Sequence, residues 1–142
     1  MAAVSKAETN WKGGLADGQG RVHVASGAFD DFEVSWGARA ERRAGATSPE
    51  ELLAAAHAAC FSMALSHALG QEGLPPQELD VSAEVSFQPG EGITGIELNV
   101  RGKVPGVDAD GFRKAAEGAK EGCPVSKALA GTEIRLGSAE LA

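Results

Sequence analysis

The sequence predicts an α+β domain, and three observations carry that prediction. Apolar Leu79, Val81, Ala83, Val85 and Phe87 alternate with polar Asp80, Ser82, Glu84, Ser86 and Gln88, which is the period of a half-buried strand. A run free of Asp, Glu, Lys and Arg extends from Leu52 to Gly70 behind a strong helix start. Strand-like segments precede this run, and a hairpin, a helix and a last strand follow it. That order describes a sheet with one face covered by helices.

The first elements are short strands at about Lys6 to Trp11, Arg21 to Ala25 and Phe32 to Trp36, separated by Gly-rich turns such as LADGQG. Gly37 to Thr47, GARAERRAGAT, has no period and reads as a loop. The helix start follows. Ser48 is the N-cap, Pro49 takes the first helical position, and Glu51 is the capping-box partner three residues on. Glu50 is therefore not needed for capping. The helix runs to about Leu69 and stops at Gly70 or Gly73, before Pro75 and Pro76. Leu52, Ala56, Cys60, Met63 and His67 form one stripe and Phe61, Leu65 and Leu69 another, so the helix reads as apolar all round and buried in a core.

After the turn PGEG, Ile96, Leu98, Val100 and Val104 alternate with polar neighbours and complete a hairpin. A helix from Asp108 to about Glu121 places Phe112, Ala115, Ala116 and Ala119 on one face. A short helix opens near Cys123 and Pro124, and a strand from Glu133 to about Leu141 closes the chain.

The chain has 142 residues, 43% hydrophobic and 23% charged, as expected for one domain spanning residues 1–142 with a real core. Its net charge of −7 argues against a nucleic-acid partner, and its one basic cluster, Arg39, Arg42 and Arg43, is interrupted by Glu41. The amino terminus lacks the apolar core of a secretion signal, so a reducing, cytoplasmic setting is expected. The Leu52–Gly70 run is nearly long enough for a bilayer. Its two histidines, two serines and seven alanines make it a poor span, and a buried helix off the membrane is the preferred reading.

Two cysteines, Cys60 and Cys123, are too few for a disulfide scaffold and in a cytosolic chain point to catalysis, redox activity or simple burial. Burial of Cys60 among Ala, Phe and Met would raise its pKa, so reactivity requires a nearby cation. Arg39, Arg42 and Arg43 are candidates. Cys123, in GCPVSKAL, lies at a helix start where backbone N–H groups favour a thiolate. The two thiols fit a peroxidatic and resolving pair, which spacing alone does not establish. His57 precedes Cys60 by three residues, leaving open a Cys–His nucleophile or half of a metal site. His67 reads as a core histidine and His23 as a strand-face residue. No P-loop or GxSxG is present, and nucleotide chemistry is not indicated.

At PEELLAAAHAACFSMAL and EGCPVSKAL the chain closely resembles the OsmC/Ohr family of organic hydroperoxide peroxidases, and AAAHAACFSMAL is more similar to the OsmC branch. The resemblance implies an intertwined homodimer with sheets wrapped around central helices. It implies that Cys60 is the peroxidatic cysteine, Cys123 the resolving one, and Glu50 the carboxylate that fixes an arginine against the thiolate. Arg39 is the best match for that arginine, with Arg42, Arg43 and Arg21 as alternatives. The implied substrate is an organic hydroperoxide, with hydrogen peroxide poorer. The implied reductant is a dithiol, a lipoylated protein being one candidate. No haem, flavin or metal is called for. Glu50 and Cys60 are ten residues apart, roughly 15 Å along a helix, so a site containing both needs a second chain. Two other readings stay open: a Cys60/His57 thiol hydrolase or transferase, and a non-enzymatic dimeric module that senses redox state or binds a partner.

Overall fold

The computed structural model describes residues 1–142 and divides into two compact units, Met1–Leu52 and Leu53–Ala142. In the first, strands β1 (Ala7–Lys12), β2 (Gln19–Val24) and β3 (Phe32–Val34) form an antiparallel sheet in the order β1-β2-β3. The register runs from Ala7 opposite Val24 to Lys12 opposite Gln19. Gly13, at φ 94°, occupies the left-handed region that lets the chain turn out of β1.

The segment expected to be a loop contains a helix, α1 (Trp36–Glu41), so β3 stops at Val34 instead of continuing to Trp36. The Ser35 hydroxyl accepts the Ala38 N–H at 3.1 Å, which caps α1, and Arg42 ends it at φ 58°. Six residues are too few to display a helical period. Ser35 was the available signal.

Helix α2 (Pro49–Gln71) begins at the expected place, with the Glu51 N–H on the Ser48 hydroxyl at 3.1 Å. Only this half of the capping box forms as expected, because the Glu51 carboxylate accepts the Thr47 hydroxyl instead. Past Gln71 the chain turns at Gly73, φ 74°, and the Leu74 N–H returns to the Leu69 carbonyl at 2.9 Å.

The second unit contains the rest of α2, then β4 (Glu78–Gln88), β5 (Gly92–Lys103), α3 (Ala109–Gly122), α4 (Pro124–Ala128) and β6 (Ile134–Leu141). β4 and β5 form the expected antiparallel hairpin, and β6 lies parallel to β5 on its other side. Phe61, Leu65 and Leu69 of α2 join Leu98, Val100 and Val104 of β5, Phe112, Ala116 and Ala119 of α3 and Leu136 of β6 in one core. Burying these side chains is worth about 25 cal/mol per Å² of apolar surface removed from water.

The expectation that α2 is buried all round needs correction. Glu50, His57, Phe61, Leu65 and Leu69 form one buried stripe. Ala55, Ala56, Ala59, Met63, Ser66 and His67 are exposed, Met63 at 72%. His67 is therefore not a core histidine. With no charge between Leu52 and Gly70, composition does not reveal which face turns inward.

Candidate functional site

Cys60 occupies the middle of α2, and Cys123 occupies the junction where α3 ends and α4 begins. The Cys123 N–H closes α3 on the Ala119 carbonyl at 2.9 Å, and its carbonyl accepts the Lys127 N–H of α4 at 3.0 Å. Pro124 at the first position of α4 suits this sharp restart, because its missing N–H has no helical partner to lose. The result brings together two thiols that are 63 residues apart in sequence, with their sulfurs 2.8 Å apart and both free. Cys60 is half-buried, whereas Cys123 is 0% exposed.

Their proton affinities diverge. Burial pushes the Cys60 thiol up, Cys123 pushes it further, and the Val125 N–H pulls it back too little. Burial also opposes ionisation of Cys123. Hydrogen bonds from Cys60, from the Ser126 N–H and hydroxyl and from the Val125 N–H outweigh it and hold Cys123 below the usual thiol value. In this arrangement the first thiolate forms on Cys123, with Cys60 donating to it.

In the other unit, Arg39 of α1 meets Glu50 in the first turn of α2. The Arg39 Nε lies 3.0 Å from Glu50 Oε1 and its Nη2 2.8 Å from Oε2, a two-pronged ion pair. Glu50 is 1% exposed, so this carboxylate has been withdrawn from water and is held by one guanidinium. Arg43 pairs with Glu41 at 2.7 Å and Arg21 with Asp31 at 3.4 Å, and Arg42 forms the left-handed end of α1. Among the candidate arginines, Arg39 is the one on Glu50.

His57 is fully buried and its Nε2 lies 2.7 Å from the Ser126 hydroxyl. Burial holds its imidazole below the ordinary value, so it is neutral near pH 7. The Cys–His pairing left open by the sequence is thus replaced by a His57–Ser126 pairing. Ser126 was not singled out in the sequence, where its position three residues after Cys123 was the only signal. His23 behaves as expected on the face of β2, exposed and 2.7 Å from Asp31.

Cys60 opens onto a cavity of about 860 Å³ between α2 and α3, lined by Met63, Ala64, Ala115, Ala119 and Pro124 among others. Phe61, the neighbour of Cys60 in sequence, is 0% exposed in the core and does not line it. Four alanines and three glycines make much of the wall, which leaves room beside the sulfur, and His67, Glu72 and Lys114 are its polar members.

Two adjacent thiols, one half-buried and one buried, beside a mostly apolar cavity suit sulfur redox chemistry. The chain matches the family described as OsmC-like protein over residues 42–137. It belongs to the OsmC family. It is 42% identical over 132 residues to Peroxiredoxin OsmC of Escherichia coli (strain K12), spanning 91% of this chain and 92% of that one. It is 34% identical over 140 residues to the organic hydroperoxide resistance protein OhrB of Bacillus subtilis (strain 168), spanning 94% and 97%. The higher identity to the OsmC relative favours the OsmC branch. The crystal structure of B. subtilis OhrB superposes with a TM-score of 0.70 at 31% identity, covering 96% of this chain and 98% of that one. An OsmC-like protein from Mycoplasma pneumoniae shares the fold with a TM-score of 0.75 at 15% identity and full coverage of both chains.

Proposed function

We propose that this protein is a thiol peroxidase that reduces organic hydroperoxides to alcohols, with Cys60 as the peroxidatic and Cys123 as the resolving cysteine. The observation that carries this reading is the thiol pair itself: sulfurs 2.8 Å apart, one open to an 860 Å³ cavity and the other sealed from solvent. Only Cys60 is placed to meet a substrate. The names of the relatives, a peroxiredoxin and an organic hydroperoxide resistance protein, supply the chemical class.

The Cys60 thiolate attacks the distal oxygen of ROOH, the O–O bond breaks, and the departing alkoxide takes a proton to leave as ROH. Sulfur loses two electrons and becomes a sulfenic acid. Cys123 then attacks that sulfur, a disulfide forms, and the hydroxyl leaves as water. A dithiol reductant, of which a lipoylated protein is one kind, restores both thiols by exchange. A reducing compartment such as the cytoplasm suits a resting state of two thiols.

The raised Cys60 thiol needs a positive charge to act as a nucleophile. Arg39, held on Glu50, is the cation in this proposal. Glu50 and Cys60 are ten residues apart on α2, roughly 15 Å along its axis, so the guanidinium that serves Cys60 comes from a second copy. The uncharged exposed face of α2, Ala55, Ala59 and Met63 among its residues, is where that copy packs. Ala59→Glu would then give a monomer by light scattering and lower turnover at least about tenfold.

The test is consumption of cumene hydroperoxide with dithiothreitol. Cys60→Ser is expected to fall to background, a loss of roughly a thousandfold or more. Cys123→Ser is expected to accumulate a Cys60 sulfenate that a dimedone probe captures. Appreciable turnover by Cys60→Ser would overturn the assignment. The thiol hydrolase alternative predicts a stable thioester and indifference to Cys123, but His57 is already committed to Ser126.

A further inference from the structure

Four polar or charged side chains are buried in this chain: Ser48, Glu50, His57 and Ser126. Ser48 caps α2 and Glu50 holds Arg39. The remaining two bind each other, and the chemistry proposed so far uses neither. A leucine at position 57 would fill this space without burying ring nitrogens, one of which, Nδ1, has no hydrogen-bond partner.

The protons can be assigned from the hydrogen bonds. The hydroxyl and N–H of Ser126 both favour a thiolate on Cys123, which sets the serine proton toward that sulfur. A hydroxyl has one proton to donate. With that proton on sulfur, the 2.7 Å contact to His57 is made by the imidazole N–H, from Nε2 to the serine oxygen. The same tautomer leaves the unpartnered Nδ1 as a bare lone pair, whereas the opposite one would bury an orphaned N–H, the rarer and costlier defect.

We propose that His57 and Ser126 form a buried relay, His57 Nε2–H to Ser126 O–H to Cys123 Sγ, that positions Cys123 for attack on the Cys60 sulfenic acid. This rests on the peroxidase reading above. Both are positioning residues for the resolving step. The groups that act on Cys123 are Cys60 from α2 and the Val125 N–H and Ser126 from α4, with His57 of α2 paired to Ser126. At the end of α3, Lys120 is engaged by Glu117 at 3.2 Å. Since His57 is neutral, it directs the serine proton without adding charge.

The relay accounts for the proton in the resolving step. Cys123 attacks as a thiolate solvated by Ser126, the S–S bond forms as the S–O bond of the sulfenic acid breaks, and the departing hydroxide receives the proton that Cys123 gave up. Water leaves. The Cys123 sulfur supplies the pair for the new S–S bond, the S–O bonding pair leaves with the hydroxide, and both sulfurs end at the disulfide level.

Two measurements test the proposal. The first follows thiolate absorbance against pH in Cys60→Ser, which isolates Cys123. Adding Ser126→Ala or His57→Leu is expected to raise the Cys123 pKa by about one unit. His57→Gln, whose amide N–H can stand near the Nε2 position, is expected to restore it.

The second follows disulfide formation after one equivalent of cumene hydroperoxide in the otherwise intact protein. Ser126→Ala and His57→Leu are expected to slow it about tenfold near pH 7 while leaving the rate of sulfenate formation within about twofold. An unchanged Cys123 titration in Ser126→Ala, a variant small enough to keep the fold by circular dichroism, would overturn the relay. A shifted titration in a protein that never consumes hydroperoxide would support the relay and overturn the peroxidase reading.

Discussion

Around Glu50 the chain buries a charge and answers it with a charge, the two-pronged guanidinium of Arg39. Around Cys60 and Cys123 it buries sulfur and answers with N–H, O–H and S–H groups only. The first arrangement is strong and rigid, because a carboxylate withdrawn from water tolerates no loss of its partner. The second is adaptable, since a neutral thiol tolerates burial and the donors fix only where a negative charge settles. Within the thiol cluster that place is Cys123. The difference teaches that charge pairing and thiol chemistry are prepared separately, and the proposed mechanism joins them by bringing Arg39 of a second copy to Cys60.

Replacing Arg39 should have the largest effect, because it strikes the charged region and the chemistry together. Arg39→Ala leaves Glu50 buried and unpaired and is expected to cost about 3 kcal/mol in urea unfolding, moderated by the partial exposure of the arginine. Turnover should fall about a hundredfold through loss of Cys60 thiolate. Arg39→Lys keeps the charge without the fork and should recover part of each.

A smaller effect separates the regions by pH. His57 is held below the ordinary imidazole value of about 6.5, so below that pH the unfolded chain binds more protons than the folded one. Stability is therefore lost as pH falls through this range, by up to about 1.4 kcal/mol per pH unit. Urea unfolding at stepped pH should show this slope in the wild type and a shallower one in His57→Gln.

The smallest effect should come from Cys123→Ala, which removes a neutral buried thiol. It is expected to cost about 1 kcal/mol in the same assay. A loss as large as that of Arg39→Ala would erase the contrast.

Elements with long, strict periods were legible in the sequence. The β4–β5 hairpin declared itself by alternation, and α2 by Ser48 and Pro49 at its start. α1 was hidden because a single capped turn and a half leaves no periodic trace. The buried stripe of α2 was hidden because alanine and a few larger apolar residues cover every face without a charge to mark the outside. At the site, each cysteine stood out by residue type and neighbours, and Arg39 and Glu50 followed from the resemblance. The His57–Ser126 pairing spans 69 residues and depends on how α4 restarts after Cys123, which no local spacing encodes.

The central claim is that Cys60 of one chain is served by Arg39 of another. Its most direct test mixes two inactive variants, Cys60→Ser and Arg39→Ala, unfolds and refolds them together, and measures cumene hydroperoxide turnover. About a quarter of wild-type activity is expected, since half of randomly assembled dimers are mixed and each holds one complete site of two. A mixture no more active than its components would contradict the account.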